Sequence, residues 1–162
     1  MVVATYNGRH YLDDCLRSVY HDLRPGDEVV VVDNASSDGG ADWVAGHYPQ
    51  ARLVRNAENR GFAAACNQGA RLASGRVLVF LNQDTHVAAG WLRALIGGLE
   101  RGPDVGLATS QVRMMDQPER IQACGQDVHY TGLVFGRGFG AAAGGLDGAG
   151  AVGAVALSLI HI

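Results

Sequence analysis

Long apolar runs, an excess of basic charge and paired cysteines are all missing from this sequence. No stretch of about 18 residues is apolar throughout, so no bilayer-spanning helix is expected. The first residues, MVVATYNG, lack the basic and apolar regions of a secretory leader. The formal net charge is −3, which leaves no electrostatic footprint for nucleic acid. The cysteines number only three, Cys15, Cys66 and Cys124, and stand far apart. An odd, widely spaced set reads as small buried side chains in a reducing cytoplasm, not as disulfides or a zinc site. No G-x-x-x-x-G-K-[ST] string occurs, which excludes a Walker-type nucleotide loop.

What is present is a rhythm. At 162 residues the chain can bury one core. Residues 2–6 read as a short strand closed by the turn signal Asn7-Gly8. Leu12, Leu16, Val19 and Leu23 then recur at helical spacing up to Pro25-Gly26. The run EVVVVD, residues 28–33, is the pattern of a strand covered on both faces. A short helix at 41–47, a strand at 51–55, a small-residue helix at 62–73 and a strand at 76–81 follow. A helix over 89–101 and a strand over 105–110 complete the alternation. Strands alternating with helices predict an α/β fold, a mostly parallel sheet flanked by helices. Hairpin pieces are expected at 121–124 and 128–135, and no structure is assigned to the glycine- and alanine-rich residues 136–153.

Ligands of open α/β sheets sit outside the carboxyl ends of the strands. Those ends are polar here: Thr5, Tyr6 and Asn7; Asp33, Asn34 and Ser36; Glu58, Asn59 and Arg60; Asn82, Asp84 and Thr85. Asp33 could accept a hydrogen bond from a pyrimidine imide or a ribose hydroxyl, or could cap the next helix. Asp84, among oxygen-bearing neighbours, suits a hard divalent cation, Mg²⁺ or Mn²⁺, or a helix cap. His86 is a candidate further ligand or a surface residue, and Arg60 could reach a base or phosphate or stay solvated. GRGFGA, residues 136–141, matches a dinucleotide-loop template but lacks the helix and the downstream acid that give it meaning.

Four strings, VVATYNGRHYLDDCLRSV, VVVVDNASSDGG, NRGFAAACNQGA and VLVFLNQDT, occur in this order. Together they resemble the family 2 glycosyltransferases, especially the bacterial rhamnosyltransferase-like branch, over residues 2–110 and more loosely to 135. The resemblance implies the GT-A fold, with residues 1–110 as the nucleotide-sugar-binding half and 111–162 as the start of the acceptor side. It implies that Thr5, Tyr6 and Asn7 line the nucleotide pocket and that Asp33 reads the base or ribose. Arg60, Gly61 and Asn67 would lie beside the nucleotide, Asn82 would be an oxygen ligand or ribose partner, and Asp84 would hold a divalent metal on the diphosphate. Asn82 stands where the family's Asp-x-Asp motif has its first acid, which removes one charge.

The same resemblance implies a catalytic carboxylate after a glycine- and alanine-rich strand. No residue after Asp147 is acidic, so the chain is expected to be truncated at its carboxyl end. The general base would lie beyond residue 162, the last residues need not be native, and a few residues before Met1 are expected to be missing. The implied partners are a nucleotide-diphosphate sugar donor and a glycan or lipid-linked acceptor. The implied place of work is the cytoplasm, with peripheral association at the inner face of the membrane. Transfer is expected to invert the anomeric carbon by single displacement. A nucleotide-sugar-binding module without catalysis, a nucleotidyltransferase and a dinucleotide-dependent oxidoreductase remain the alternatives.

Overall fold

The computed structural model describes residues 1–146. Asp147 and the rest of the glycine- and alanine-rich stretch, on which the expected approach to a catalytic strand falls, lie outside the described residues. The chain divides into two units, Met1–His86 and a second that begins at Val87.

The first unit runs β1 (Val2–Thr5), α1 (Arg9–Asp22), β2 (Val30–Asp33), α2 (Gly40–His47), β3 (Arg52–Arg55), α3 (Phe62–Leu72) and β4 (Phe80–Asn82). Its sheet has the order β3-β2-β1-β4, and every neighbouring pair is parallel. All four residues of β1 and of β2 are buried, which is why the valine run needs no polar alternation. Burying one valine contributes roughly 1.5–3 kcal/mol.

Val2, Ala4, Val30 and Val32 point to one face and form a cluster with Ala65 and Cys66 of α3. Val3 and Val31 point to the other face and are equally buried, as are Leu12, Cys15, Leu16 and Val19 of α1. The small residues of α3 have a steric reason. A methyl group on Gly69 would overlap Val2 and come within 3.2 Å of Val32, so only glycine lets this helix approach the sheet. Burial pushes the Cys15 thiol up to about 12 and the Cys66 thiol up to about 11, so both fill space as neutral groups.

The strand expected over 76–81 is shorter in the structure. The register sets Val2 opposite Phe80, so residues 76–78 run past β1 and gain no ladder partner from it. Val77 and Leu78 are accordingly exposed.

The second unit holds α4 (Trp91–Leu99), β5 (Val112–Arg113), β6 (Ile121–Ala123), β7 (Gln126–Val128) and β8 (Val134–Gly136). Strands β5 and β6 pair antiparallel, as do β7 and β8, in line with the hairpins expected there. The strand expected over 105–110 does not form. The Val105 N–H turns back to the Gly102 carbonyl, and the Ser110 hydroxyl accepts the Trp91 indole N–H at 2.6 Å. Leu107 is 75% exposed. An apolar run interrupted by Gly106, with no ladder partner among the described residues, does not hold an extended pairing geometry. No helix among the described residues is long and apolar enough to cross a membrane.

Candidate functional site

The strand order reverses between β1 and β4, because β2 and β3 follow β1 on one side while β4 returns to the other. Such a switch point leaves a crevice at the carboxyl ends of the two strands. A cleft of about 340 Å³ lies there, lined by Thr5 and Tyr6 from the end of β1 and by Asn82, Gln83 and Asp84 from the end of β4. Asn34, Asn59, Gly61, Phe62 and Ala65 supply the remaining polar and apolar wall.

Each wall is fixed from below. The end of β4 sits over α1, where the Cys15 thiol donates to the Asn82 carbonyl at 3.6 Å. The side chain of Gln83 reaches across to β1 and accepts from the Thr5 hydroxyl at 2.5 Å and from the Tyr6 N–H at 2.8 Å. On the other wall a chain of amides does the work. Gln68 on α3 donates to Asn56 at 2.9 Å, and Asn56 donates to Asn34 at 3.1 Å. Asn34 in turn donates to Asn59 at 2.7 Å. The Asn34 side-chain oxygen also takes the Arg60 N–H, and the Asn59 side-chain oxygen takes the Gly61 N–H. Gly61 has φ of +81°, a backbone state that a side chain would strain.

The loops after β1 and β2 are tied to each other. The Asn7 N–H donates to the Ser36 hydroxyl, and the Asn7 side-chain oxygen accepts the Ser37 N–H, both at 2.9 Å. Asn7 and Ala35 both have positive φ, +48° and +67°. Asparagine tolerates that region better than alanine does. Asp33 is 4% exposed. Its Oδ2 accepts the Ser36 N–H at 3.2 Å, and its Oδ1 accepts from no donor among the described residues. The helix α2 takes Gly39 as its cap residue, so Asp33 does not cap it.

The expected site residues therefore fall into two groups. Thr5, Tyr6, Gly61, Asn82 and Asp84 line one cleft. Asn7, Asp33, Arg60 and Asn67 do not line it: Asn7 and Asp33 hold the loops beside it, Arg60 offers its backbone N–H to Asn34, and Asn67 is exposed on α3. Phe62 lines the cleft, and Gln83 and the amide chain of Asn34, Asn56, Asn59 and Gln68 carry structural weight that no single-residue signal announced. Asn34 and Asn59 stand at strand ends, the one cue that pointed to them.

The chemistry of the cleft is lopsided. Asp84 is its one carboxylate, and no arginine or histidine lines it; the chain contains no lysine at all. A diphosphate placed here would meet negative charge and neutral amides, and would need a cation between. The donor atoms are oxygens, which suit Mg²⁺ or Mn²⁺. Among the described residues no group of three His, Cys, Asp or Glu side chains could hold a metal alone. A magnesium-type ion fits that arrangement, since it takes one or two carboxylates and completes its shell with substrate phosphates and water.

Comparison with known proteins identifies the family. The sequence profile of the family described as Glycosyl transferase family 2 matches residues 1–137. A solved mannosyltransferase from Pyrobaculum calidifontis, in complex with GDP-Man and Mn²⁺, is 36% identical with a TM-score of 0.61, over 70% of this chain and 34% of that one. A Bacillus subtilis glycosyltransferase named for teichuronic acid biosynthesis is 32% identical over 87 residues, 52% of this chain and 34% of the relative. The poly-beta-1,6-N-acetyl-D-glucosamine synthase of Staphylococcus epidermidis is 26% identical over 137 residues, 82% of this chain and 32% of the relative. The chain spans about a third of the length of these curated relatives.

Proposed function

The chain belongs to glycosyl transferase family 2, and from that premise we propose that its cleft takes the nucleotide-diphosphate end of a sugar donor. The whole protein would then pass the sugar to a glycan or lipid-linked acceptor. The observation that carries this reading is the cleft itself: a switch-point crevice with one carboxylate, Asp84, and no basic side chain in its lining.

The residues divide the work by their chemistry. Tyr6, 47% exposed, offers a ring face for a base. Asp33, with one carboxylate oxygen unspent, suits a base imide or a ribose hydroxyl. Thr5, Asn34 and Asn59 present neutral hydrogen-bonding groups along the wall. Asp84 would hold the divalent cation, with the half-buried Asn82 beside it. When bound, such an ion supplies Lewis-acid neutralisation of charge on the departing diphosphate. A general base that deprotonates the acceptor hydroxyl completes an inverting displacement, and we place it beyond residue 162. The neutral Asn82 in the first motif position supports the rhamnosyltransferase-like branch within the family. The glycan-building names among the relatives support work on a polysaccharide. An acceptor carried on lipid would set the protein at the inner face of a membrane.

The test is calorimetric titration of the chain with UDP-, dTDP- and GDP-sugars, with and without Mn²⁺, and with NAD as the contrast. Capture of one sugar nucleotide that strengthens with Mn²⁺ is the expected result. Binding of NAD alone, or binding indifferent to Mn²⁺, would reject the reading.

A further inference from the structure

The backbone ladder between β1 and β4 ends at Ala4 opposite Asn82. One residue later the chain turns away, yet the two strand ends remain joined through the side chain of Gln83. Its Oε1 accepts both the Thr5 hydroxyl and the Tyr6 N–H, and its Nε2 donates to the Tyr6 carbonyl at 3.2 Å. The orientation of the amide is fixed by its partners, because a backbone N–H requires the oxygen and a backbone carbonyl requires the nitrogen. The carboxamide thus pairs with the Tyr6 peptide as a neighbouring strand would, and adds one rung to the ladder.

A second observation shows that room has been kept for this arm. Gly8 has φ of −115° and ψ of 25°, a conformation any residue can adopt. A methyl group placed on it would nonetheless collide with the Gln83 carboxamide. Glycine stands there for space and not for backbone freedom.

We propose that Gln83 is a positioning residue for donor binding, a latch that holds the Tyr6 wall and the Asp84 wall of the cleft in one fixed relation. This rests on the donor-binding reading of the cleft. The latch requires an acceptor and a donor together at this reach. Glutamate as a carboxylate keeps the acceptor but has no donor for the Tyr6 carbonyl. Leucine supplies neither.

The experiment compares Gln83→Leu, Gln83→Glu and Gly8→Ala with the unaltered full chain, using two readouts. The first, without nucleotide, is the hydrogen-exchange protection of the Tyr6 amide by NMR, with the Val31 amide as the core reference. The second is the dissociation constant for the best sugar nucleotide with Mn²⁺. Gln83→Leu and Gly8→Ala are expected to lower Tyr6 protection and weaken donor binding, each by about tenfold, with Val31 unchanged. Gln83→Glu keeps the acceptor for the Tyr6 N–H and loses the donor, so its Tyr6 protection is expected to fall between those of Gln83→Leu and the unaltered chain. Wild-type protection of Tyr6 in Gln83→Leu would overturn the latch. Lost protection with unaltered donor affinity would overturn its positioning role. Lost protection in a chain that captures no sugar nucleotide would support the latch and overturn the donor reading instead.

Discussion

The two ends of the parallel sheet are finished in different ways. At the amino ends, the Glu28 side chain ties two segments together. Its carboxylate accepts the Ser74 N–H, the Ser74 hydroxyl at 2.8 Å and the Gly75 N–H at 3.1 Å, which ties the entry to β2 to the loop between α3 and β4. At the carboxyl ends the amides of Gln83 and Asn34 are as fully bonded, but the acid accepts one bond where Glu28 accepts three. Asp33 keeps one oxygen without a donor among the described residues, and Asn7 and Ala35 sit at positive φ. A cleft opens beside them. Both ends use polar groups to hold the fold together, but the carboxyl end leaves a buried carboxylate oxygen without a donor among the described residues, beside an open cleft.

The substitution expected to separate the ends most sharply is Asp84→Ala. It removes the one carboxylate from the cleft lining, so Mn²⁺-assisted capture of a sugar nucleotide should weaken roughly 100-fold, about 2.7 kcal/mol. The midpoint of thermal unfolding should scarcely move. Titration with and without Mn²⁺ checks the first part and a thermal scan the second. Affinity that still responds to Mn²⁺ in the variant would place the cation elsewhere.

Asn34→Leu comes next and strikes binding and stability together. Asn34 is 4% exposed, and its side chain serves Asn56, Asn59 and the Arg60 N–H. Leucine would strand all three partners, at about 2–3 kcal/mol. A denaturant midpoint falls accordingly, and donor affinity falls with it because Gly61 and Asn59 line the cleft. Loss of stability with affinity intact would show that the amide chain serves the fold alone.

These two residues also show what the amino-acid sequence discloses and what it hides. The valine run of β2 announced a strand buried on both faces, and the polar residues after the strands marked the end where the cleft opens. The four strings that carry the family resemblance span the whole first unit. The bonding of Gln83 and of the amide chain was hidden, because a carboxamide signals nothing until its partners are placed. Gln68 and Asn34 meet through Asn56 only once α3 lies on the sheet. The strand expected at 105–110 failed for a related reason: strand pattern is a statement about partners, and Val105 and Leu107 have none in a ladder among the described residues.

At the opposite end of the sheet, Glu28→Gln should spare the cleft and touch only stability. Bonds from the Ser74 N–H and then the Ser74 hydroxyl hold the Glu28 carboxyl below its ordinary value of 4.5. A group depressed in the folded state contributes its full stabilisation above the unfolded value, and loses it as pH falls through the lower folded one. The carboxylate is largely solvated, so the expected effect is small: a fall in Tm of about 1–2 °C at pH 7, shrinking as pH falls below the ordinary value of 4.5. Donor affinity should not change. A Tm difference that does not shrink as the pH is lowered would mean that shape and not charge sets the contribution.

A stability effect equally small probes the contrast most directly, because its sign is unusual. Ala35 has φ of +67°, a conformation that costs an alanine about 1–2 kcal/mol and a glycine almost nothing. Glycine also loosens the unfolded chain, which takes back roughly 0.4–1 kcal/mol. Ala35→Gly should therefore stabilise the protein by about 0.5 kcal/mol, a Tm rise of roughly 1–2 °C. The bonds that hold the strain in place are Asn34 N–H to the Thr5 carbonyl at 2.8 Å and Ser36 N–H to Asp33 Oδ2. Both belong to the loop that presents Asp33 and Asn34. With the strain relieved, that loop gains freedom, and donor affinity should fall severalfold while the fold grows firmer. A substitution that only repaired a defect would raise Tm and leave binding alone. A Tm that drops with binding unchanged would deny that strain is stored here for function at all. Only the combined result, firmer fold and weaker capture, fits a carboxyl end held ready for a ligand at the expense of its own stability.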